Sequence, residues 1–157
     1  MRILVMSDCH GSCRAVEKAL DVHPDIKKVF YLGDGVAQIE EIQSFYPDRE
    51  FNIVAGNCDW NSVYPAYKES TVENVRIIYT HGHKYNVKYG TEQLYEAAVN
   101  AGAGLALYGH THIADVKYRD GIYLVNPGAL HGARNGGESY AVIDITKAGI
   151  MPSVMKL

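Results

Sequence analysis

The stretch that decides the fold is the first one, Ile3-Leu4-Val5-Met6-Ser7-Asp8-Cys9-His10-Gly11. Its first four residues are apolar and mostly branched, which predicts a short buried strand. The strand leads into a polar turn that holds a carboxylate and an imidazole two residues apart. Because residues i and i+2 of an extended chain point to the same side, Asp8 and His10 are predicted to converge on one ion. For this pair alone, the simpler interpretation is that Asp8 caps a following helix and that His10 is solvated.

The recurrence of this pattern along the chain favours the ion-binding interpretation. Five of the seven histidines lie in such motifs, and packing alone explains this placement poorly. Imidazole, carboxylate and amide donors without thiolate are typical of sites for manganese, iron, cobalt, nickel or zinc. Seven candidate ligands are too many for one ion, so the sequence favours two ions that share a bridging carboxylate. The further motifs are the pairs His81/His83 and His110/His112, together with Asp34 and Asn57 in two other glycine-containing turns.

Length, composition and charge limit the classes of protein that fit. A chain of 157 residues with 47% hydrophobic and 21% charged residues is predicted to form one soluble domain, residues 1–157, with a substantial core. No apolar run approaches the roughly 20 residues of a membrane span, and we expect no signal peptide. Three cysteines argue against a disulfide framework and for a reducing, cytoplasmic location. The net charge of −3 and the lack of a basic cluster disfavour a nucleic-acid groove, although bound cations can still attract a phosphorylated substrate.

The apolar patterns predict an α/β fold in which the first third of the chain shows strand and then helix three times over. This order implies parallel strands with right-handed crossovers, and ligands bind beyond the carboxyl ends of such strands. The predicted helices are Cys13–Val22, Gln38–Tyr46 and Thr91–Ala101. The predicted strands are Ile3–Met6, Lys28–Leu32, Phe51–Ala55, Tyr67–Val72, Val75–Thr80, Leu105–Tyr108, Ala114–Tyr118, Ile122–Val125, Ser139–Ile145 and Ile150–Met155, with a hairpin turn at Glu73-Asn74 and a glycine-rich loop at Asn126–Glu138.

Five short blocks together resemble the calcineurin-like metallophosphoesterases. Within this superfamily they are similar to the small single-domain phosphodiesterases, a branch that also contains the phosphatase-like subunit of retromer. The resemblance implies a four-layer αββα sandwich of two mixed sheets, with a dinuclear metal centre at the carboxyl ends of the strands. The blocks are Asp8-x-His10, Gly33-Asp34, Gly56-Asn57-Cys58-Asp59, His81-Gly82-His83 and Gly109-His110-Thr111-His112, and Asn126-Pro127-Gly128 looks like a further one.

The same resemblance implies the ligands and the chemistry. Manganese is the expected metal, with nickel, iron, cobalt and zinc as alternatives. Two such ions polarise phosphoryl oxygens and lower the pKa of a bridging water, and the resulting hydroxide attacks phosphorus in line with the leaving group. We therefore predict a phosphoesterase, more specifically a phosphodiesterase, that acts on a small phosphate ester. The implied ligands are Asp8, His10, Asp34 and His112 for one ion, and Asp34, Asn57, His81 and His110 for the other, with Asp34 bridging.

One position departs from the better-known pattern of the superfamily. In the Ser/Thr phosphatases the residue after the Asn ligand is a His that helps to protonate the leaving oxygen, and here it is Cys58. A thiol is a poor general acid, and Asp59 loses the His that it would orient. His83 is expected either to replace that acid or to be a supporting or exposed histidine. The expected catalytic residues are therefore Asp34, Asn57 and His83.

Substrate contacts are expected from the same loops and from the glycine-rich loop. Tyrosines near the motif loops suit stacking on an aromatic or nucleoside group, or alternatively the interface of a homo-oligomer. The alternative function is a protein-binding scaffold that keeps the fold but catalyses weakly. Because all seven ligand positions carry competent donors, the sequence favours the enzyme. The candidate substrate-binding residues are Asn57, Cys58, Asp59, His83 and Arg134, of which Arg134 either holds a phosphate bidentately or is an exposed loop residue.

Overall fold

The chain forms ten strands and three helices, and the structure, a computed structural model, describes all of residues 1–157. A three-residue 3₁₀ turn, His83–Tyr85, follows the fifth strand. None of the helices is long and apolar enough to cross a membrane. In chain order the elements are β1 (Arg2–Met6), α1 (Cys13–Asp21), β2 (Lys28–Tyr31), α2 (Val36–Gln43), β3 (Glu50–Ile53), β4 (Tyr67–Val72), β5 (Val75–Thr80), α3 (Glu92–Ala101), β6 (Leu105–Leu107), β7 (Asp115–Arg119), β8 (Ile122–Asn126), β9 (Ser139–Thr146) and β10 (Gly149–Lys156).

The strands form two mixed sheets of five strands each. The first sheet has the order β10-β9-β1-β2-β3, and the second has the order β4-β5-β6-β8-β7. In the first sheet β1, β2 and β3 are parallel, as the predicted crossovers require, and β9 and β10 extend it in antiparallel fashion. In the second sheet β5, β6 and β8 are parallel, and β4 and β7 are antiparallel edge strands.

Alternation along β1 explains why the sheets stack in layers. Ile3 and Val5 point into the apolar core between the two sheets, whereas Leu4 and Met6 point to the core beneath α1 and α2. On the far side of the second sheet, a third apolar cluster packs Leu94 of α3 against the strands. The order helices, sheet, sheet, helix confirms the predicted four-layer αββα sandwich.

The parallel strands of both sheets deliver polar side chains to one edge of the sandwich. Strands β1, β2 and β3 lead into one set of loops, and strands β5 and β6 of the other sheet lead into the second set. The two sets meet where the N–H of His110 donates to Oδ2 of Asp8 at 3.1 Å and Nδ1 of His81 donates to the carbonyl oxygen of Leu32 at 2.7 Å. The residues that these loops carry are Asp8, His10, Asp34, Asn57, His81, His110 and His112.

The predicted hairpin is confirmed with its register. Strands β4 and β5 pair from Tyr67 with Thr80 to Val72 with Val75. The two turn residues, Glu73 and Asn74, both have left-handed backbone, with φ of 47° and 68°. A two-residue turn with positive φ at both positions has the twist that joins antiparallel strands without splaying them.

Two details of the predicted elements are wrong. The third strand is not followed by a helix, because residues 54–66 form turns and irregular backbone that cross to β4 in the other sheet. Helix α2 begins at Val36 rather than Gln38, since the Asp59 carboxylate accepts a hydrogen bond from the Val36 N–H and so caps an earlier start. The helix ends at Gln43, after which the N–H groups of Phe45 and Tyr46 bond three residues back in a tighter turn.

Candidate metal centre

Left-handed backbone, rather than extended chain, brings the candidate ligands together. Five of them have positive φ, namely Asp8 (56°), His10 (41°), Asp34 (57°), His110 (68°) and His112 (59°). The interpretation of Asp8 and His10 as neighbours on one side of an extended segment is therefore wrong in its geometry, although the two side chains do converge. Non-glycine residues in this conformation are strained by about 1–3 kcal/mol each and concentrate at functional sites. Asp and His are among the residues that tolerate it best.

The first group of side chains consists of Asp8, His10 and His112. The Nε2 atoms of the two histidines lie 3.0 Å apart, and the Oδ1 atom of Asp8 lies 3.2 Å from Nε2 of His112 and 3.7 Å from Nε2 of His10. The Nδ1 atom of His112 lies 2.9 Å from the carbonyl oxygen of Gly132, to which it donates. That bond leaves Nε2 of His112 with a lone pair that faces the Asp8 carboxylate, so a cation belongs between them.

Hydrogen bonds fix the carboxylate of Asp8 so that one oxygen faces the two histidines. It is completely buried, and its Oδ2 atom accepts hydrogen bonds from the Ser7 hydroxyl at 2.6 Å and from the His110 N–H at 3.1 Å. Its Oδ1 atom is buried without any hydrogen-bond donor. A buried carboxylate oxygen without a donor is costly unless a positive charge compensates it. The orphaned oxygen faces the two histidines, which fits a metal ion at that point.

The second group consists of Asp34, Asn57, His81 and His110. Nδ1 of the buried His81 donates to the carbonyl oxygen of Leu32 at 2.7 Å, which leaves its Nε2 as the acceptor atom. Around that Nε2 lie Oδ1 of Asn57 at 3.2 Å, Nδ1 of His110 at 3.1 Å and Oδ2 of Asp34 at 3.4 Å. Four acceptor atoms that face one another in this way again fit a cation.

The Asp34 carboxylate lies between the two groups. Its Oδ1 atom accepts a hydrogen bond from the Cys58 N–H at 2.8 Å. Its Oδ2 atom is 3.4 Å from Nε2 of His81, in the second group, and 4.0 Å from Nε2 of His10, in the first group. One oxygen of a single side chain therefore faces both groups.

Metal ions and protons compete for the same atoms of the candidate ligands, as the pKa values of these side chains show. Burial raises the pKa of the Asp34 carboxyl, but His81 in its protonated form and the hydrogen bond from the Cys58 N–H lower it, and the net value is well below its usual range. Burial lowers the pKa of His81, but Asp34 and Asp8 reverse this effect and raise it overall. The hydrogen bond to Asp8 raises the pKa of His112, whereas burial and the charge of His81 lower the pKa of His110 to about 4. Because metal ions displace protons from His81 and His112, metal affinity should increase as pH rises.

Two glycines are required by the close approach of these loops. A Cβ atom on Gly56 would lie 2.1 Å from Oδ1 of Asp34, and a Cβ atom on Gly109 would lie 2.0 Å from the hydroxyl oxygen of Ser7. Either contact would displace a carboxylate or the residue that holds it. This is the physical reason for glycine immediately before Asn57 and immediately before His110.

Asp59 has a different position from the one expected of a substrate-binding residue. Its Oδ2 atom accepts hydrogen bonds from the N–H groups of Asp34 and Gly56, both at 2.7 Å, and its Oδ1 atom accepts from those of Gly35 and Val36, both at 2.9 Å. Both oxygens are thus occupied by backbone donors. Asp59 fastens the Asp34 turn to the Asn57 turn and caps α2, a role that does not depend on a histidine at position 58.

Replacing Asp59 with asparagine should therefore destabilise the protein. The amide nitrogen of asparagine would face two N–H donors where the carboxylate now accepts, so we expect a loss of about 3 kcal/mol in the free energy of unfolding. Urea denaturation of the chelator-treated proteins measures this loss without a contribution from bound metal. The matched control is Asp25→Asn, an exposed carboxylate 3.5 Å from Arg2, which should change the free energy of unfolding by less than about 0.5 kcal/mol. Equal costs for the two variants would contradict the bracing role.

The remaining candidate residues lie around the rim. Cys58 is exposed, and its sulfur lies within 4.8 Å of ligand atoms of His10 and Asp34. Burial and the neighbouring Asp34 carboxylate raise the pKa of the Cys58 thiol to about 11, so the thiol is neutral at physiological pH. His83 has its ring centroid 5.5 Å from that of His81, and its Nδ1 atom is buried without a partner. Burial and the charge of His81 lower the pKa of His83.

Arg134 lies next to the loop that carries His110 and His112. Its N–H donates to the carbonyl oxygen of His112 at 3.0 Å, while its side chain is exposed and lines a separate cavity.

Sequence reasoning missed the residues that orient the ligands. Ser7 could have been suggested as a partner of Asp8 because it directly precedes it in the sequence. The backbone carbonyl groups of Leu32 and Gly132 carry no sequence signal. Asn126 holds the His110–His112 loop through hydrogen bonds to the carbonyl oxygen of Gly109 and the hydroxyl of Thr111, both at 3.0 Å.

An αββα sandwich with adjacent His and Asp groups at one edge is the arrangement that the resemblance to metal-dependent phosphoesterases predicts. Residues 1–148 match the calcineurin-like phosphoesterase superfamily domain. The chain is 28% identical to phosphodiesterase YfcE of Escherichia coli (strain K12), with 92% of this chain and 88% of that protein covered. It is 29% identical to vacuolar protein sorting-associated protein 29 of Schizosaccharomyces pombe, with 86% of this chain and 75% of that protein covered.

A solved structure agrees with the fold. The chain superposes on a predicted phosphoesterase from Streptococcus pneumoniae TIGR4 with a TM-score of 0.85 at 26% identity, and 99% of this chain and 88% of that chain are covered. The chain belongs to the calcineurin-like phosphoesterase superfamily, in the small YfcE-type branch that is related to the vacuolar protein sorting-associated protein 29. The predicted resemblance and fold are thereby confirmed.

Proposed function

We propose that the protein is a phosphodiesterase that uses two divalent cations, held by the seven predicted ligands. The single observation that carries this proposal is the position of Asp34, whose Oδ2 atom faces His81 at 3.4 Å and His10 at 4.0 Å. A carboxylate oxygen between two groups of acceptors has the position that a ligand shared by two ions needs. The donor set of imidazole, carboxylate and amide suits manganese, iron, cobalt, nickel or zinc, and the family resemblance makes manganese the first choice among them.

Hydrogen bonds orient the ligand residues for this role. Hydrogen bonds to the carbonyl groups of Leu32 and Gly132 fix the tautomers of His81 and His112, so that each presents Nε2 to the site. The Ser7 hydroxyl and the His110 N–H occupy one oxygen of Asp8 and leave the other free. When bound, the cations act as Lewis acids on the phosphoryl oxygens and lower the pKa of water, which makes a hydroxide nucleophile available near neutral pH.

Protonation of the leaving group is the step for which this chain is least equipped. Cys58 stands at the rim, but its pKa of about 11 makes it a weak acid at neutral pH. The lowered pKa of His83 leaves few imidazolium ions to donate a proton. The amide of Asn57 donates to the Cys58 sulfur at 3.3 Å and turns toward solvent, where it can hold a phosphoryl oxygen. We therefore propose that the enzyme acts on diesters whose leaving groups depart readily as anions.

Activity against paired esters of 4-nitrophenol tests this proposal. The protein is stripped of metal, loaded in turn with each of the five candidate metals, and assayed with bis(4-nitrophenyl) phosphate and 4-nitrophenyl phosphate. We expect at least about tenfold faster hydrolysis of the diester, and a loss of about 10²-fold or more in His81→Ala, since it removes a buried ligand. Stripped protein is the control. No turnover with any metal, although elemental analysis shows loading, would contradict the proposal.

A protein-binding scaffold is the second candidate function. It is favoured by the similarity to vacuolar protein sorting-associated protein 29 and by the replacement of the usual histidine by Cys58. Three features favour the enzyme: the strained turns of the ligand residues, the hydrogen bonds that fix His81 and His112, and the buried Oδ1 of Asp8 beside two histidines. A scaffold needs none of these features. The outcome of the ester assay decides between the two functions.

A further inference from the structure

A cavity of about 340 Å³ beside the candidate metal centre carries a concentration of positive charge. Three cations line it, namely Lys88, Lys117 and Arg134, and we call it the basic groove. The only acidic residue in its wall is Asp115. The volume lies within the range of small-molecule sites, which are commonly about 300–1,000 Å³. In a chain whose net charge is −3, such a groove is a local exception.

The basic groove borders the loop that carries the candidate ligands His110 and His112. Thr111, which lies between His110 and His112 in the sequence, forms part of its wall. Arg134 is anchored next to the same loop, because its backbone N–H donates to the carbonyl oxygen of His112 at 3.0 Å. A substrate that is held at the candidate ligands can therefore extend one arm into the groove.

Most of the positive charge in the groove is free to bind an anion. Neither Lys88 nor Arg134 has a carboxylate within 4.0 Å, whereas Lys117 lies 3.1 Å from Oδ2 of Asp115. The same Asp115 oxygen also accepts a hydrogen bond from the Tyr108 hydroxyl at 2.9 Å. The acidic residue is thus already engaged, and two cations remain without an ionic partner.

The opposite flank of the metal centre has a different character. The cavity there has a volume of about 550 Å³ and contains no lysine or arginine in its wall. It holds Glu40 and, on its rim, the exposed side chains of Trp60 and Val63. A diester that spans the centre therefore meets positive charge on one side and an uncharged or acidic surface on the other.

We propose that the basic groove binds a second phosphate group on one arm of the diester, while the leaving group lies on the flank of Trp60. This inference rests on the proposed phosphodiesterase function and adds the substrate class, a phosphodiester with a phosphate monoester on the retained arm. Charge attraction of this kind weakens as salt screens it. Each exposed charge pair contributes a few-fold at most, so the two unpaired cations, Lys88 and Arg134, should together give a preference of about tenfold.

Two chromogenic esters that differ by one phosphate test the catalytic consequence. They are thymidine 5′-(4-nitrophenyl phosphate) and its 3′-phosphorylated form, which release the same nitrophenolate. For the wild type we expect kcat/KM to be about tenfold higher for the 3′-phosphorylated ester at low salt. In the double variant Lys88→Gln/Arg134→Gln this ratio should fall to about one, whereas Lys147→Gln, in the distant turn between β9 and β10, should keep it. A ratio near one in the wild type, or a full ratio in the double variant, would overturn the proposal.

A binding measurement separates failure of the groove from failure of the enzyme. Calorimetry with thymidine 3′,5′-bisphosphate on chelator-treated protein needs no catalysis and no metal. We expect about tenfold weaker binding by the double variant than by the wild type and the Lys147→Gln control. Equal affinities would overturn the groove assignment. If the esters are not hydrolysed but the affinities differ as expected, the groove stands and the phosphodiesterase proposal fails.

Discussion

Asp34→Asn is expected to lose both metal ions, whereas His112→Ala should lose mainly one. In Asp34→Asn the charged carboxylate that faces both His81 and His10 is replaced by an uncharged amide. Removing even an indirect partner of a ligand commonly costs ~10–100-fold in metal affinity, and the loss of a shared ligand should cost more at each site. Hydrolysis should fall by roughly 10³-fold or more, because each cation supplies several kcal/mol of transition-state stabilisation.

Elemental analysis after dialysis and thermal unfolding with and without metal measure these losses. At ~100 times the dissociation constant, metal should stabilise the wild type by about 2.7 kcal/mol per site and Asp34→Asn hardly at all. Asp25→Asn is the matched control, since it removes an exposed carboxylate near Arg2. Loss of a single ion in both Asp34→Asn and His112→Ala would show that Asp34 does not bridge. An unfolding midpoint that does not respond to complete removal of metal would exclude a site built from these loops.

Cys58→His should accelerate the hydrolysis of esters with poor leaving groups. The thiol at position 58, with its pKa of about 11, donates a proton poorly. An imidazole has an unperturbed pKa near ~6.5 and donates more readily at neutral pH. General acid catalysis is typically worth ~10²–10⁴-fold. Because nitrophenolate leaves as an anion without help, the gain should be large for poor leaving groups and small for nitrophenyl esters.

The dependence of rate on the acidity of the leaving phenol measures this effect. Ethyl 4-nitrophenyl phosphate and ethyl phenyl phosphate differ only in that acidity, so the ratio of their rates reports the help given to the leaving group. We expect a steep dependence in the wild type and a shallow one in Cys58→His. Cys58→Ser, a weak acid of similar size, is the control and should keep the steep dependence. If Cys58→His binds metal normally but keeps the wild-type dependence, then His83 or water is the better candidate for the proton donor.

The order and type of the elements follow from local sequence, and their exact geometry at the site does not. Branched apolar runs identify β1 and β2, and the hairpin is predicted to the residue because Glu73-Asn74 lies between two segments that contain β-branched and aromatic residues, Tyr67–Val72 and Val75–Thr80. The left-handed backbone of Asp8 and His10 has no such local signature, since neither residue is glycine. The start of α2 was missed for a related reason, because the residue that caps it, Asp59, lies 23 positions further along the chain.

The distribution of charge was the hardest feature to predict. Lys88, Lys117 and Arg134 are isolated in the sequence, so no basic cluster is visible there. The fold collects them in one cavity, because the turn before α3, strand β7 and the glycine-rich loop all border the His110–His112 turn. The acidic overall composition therefore describes the average surface of the chain but not the surroundings of the centre.

The candidate ligands come from both sheets, and this origin has a mechanical consequence. Asp8, Asp34 and Asn57 follow strands of the first sheet, and His81 and His110 follow strands of the second. Between the sheets lies an apolar core, whose contacts are not directional in the way that hydrogen bonds are. Under the proposed function, cations held by both sets of loops would cross-link the two sheets at one edge of this interface. The two sheets would then move as one body when the cations are bound. Without the cations, one sheet could shift relative to the other, and the shift would be greatest at the edge that carries the candidate ligands.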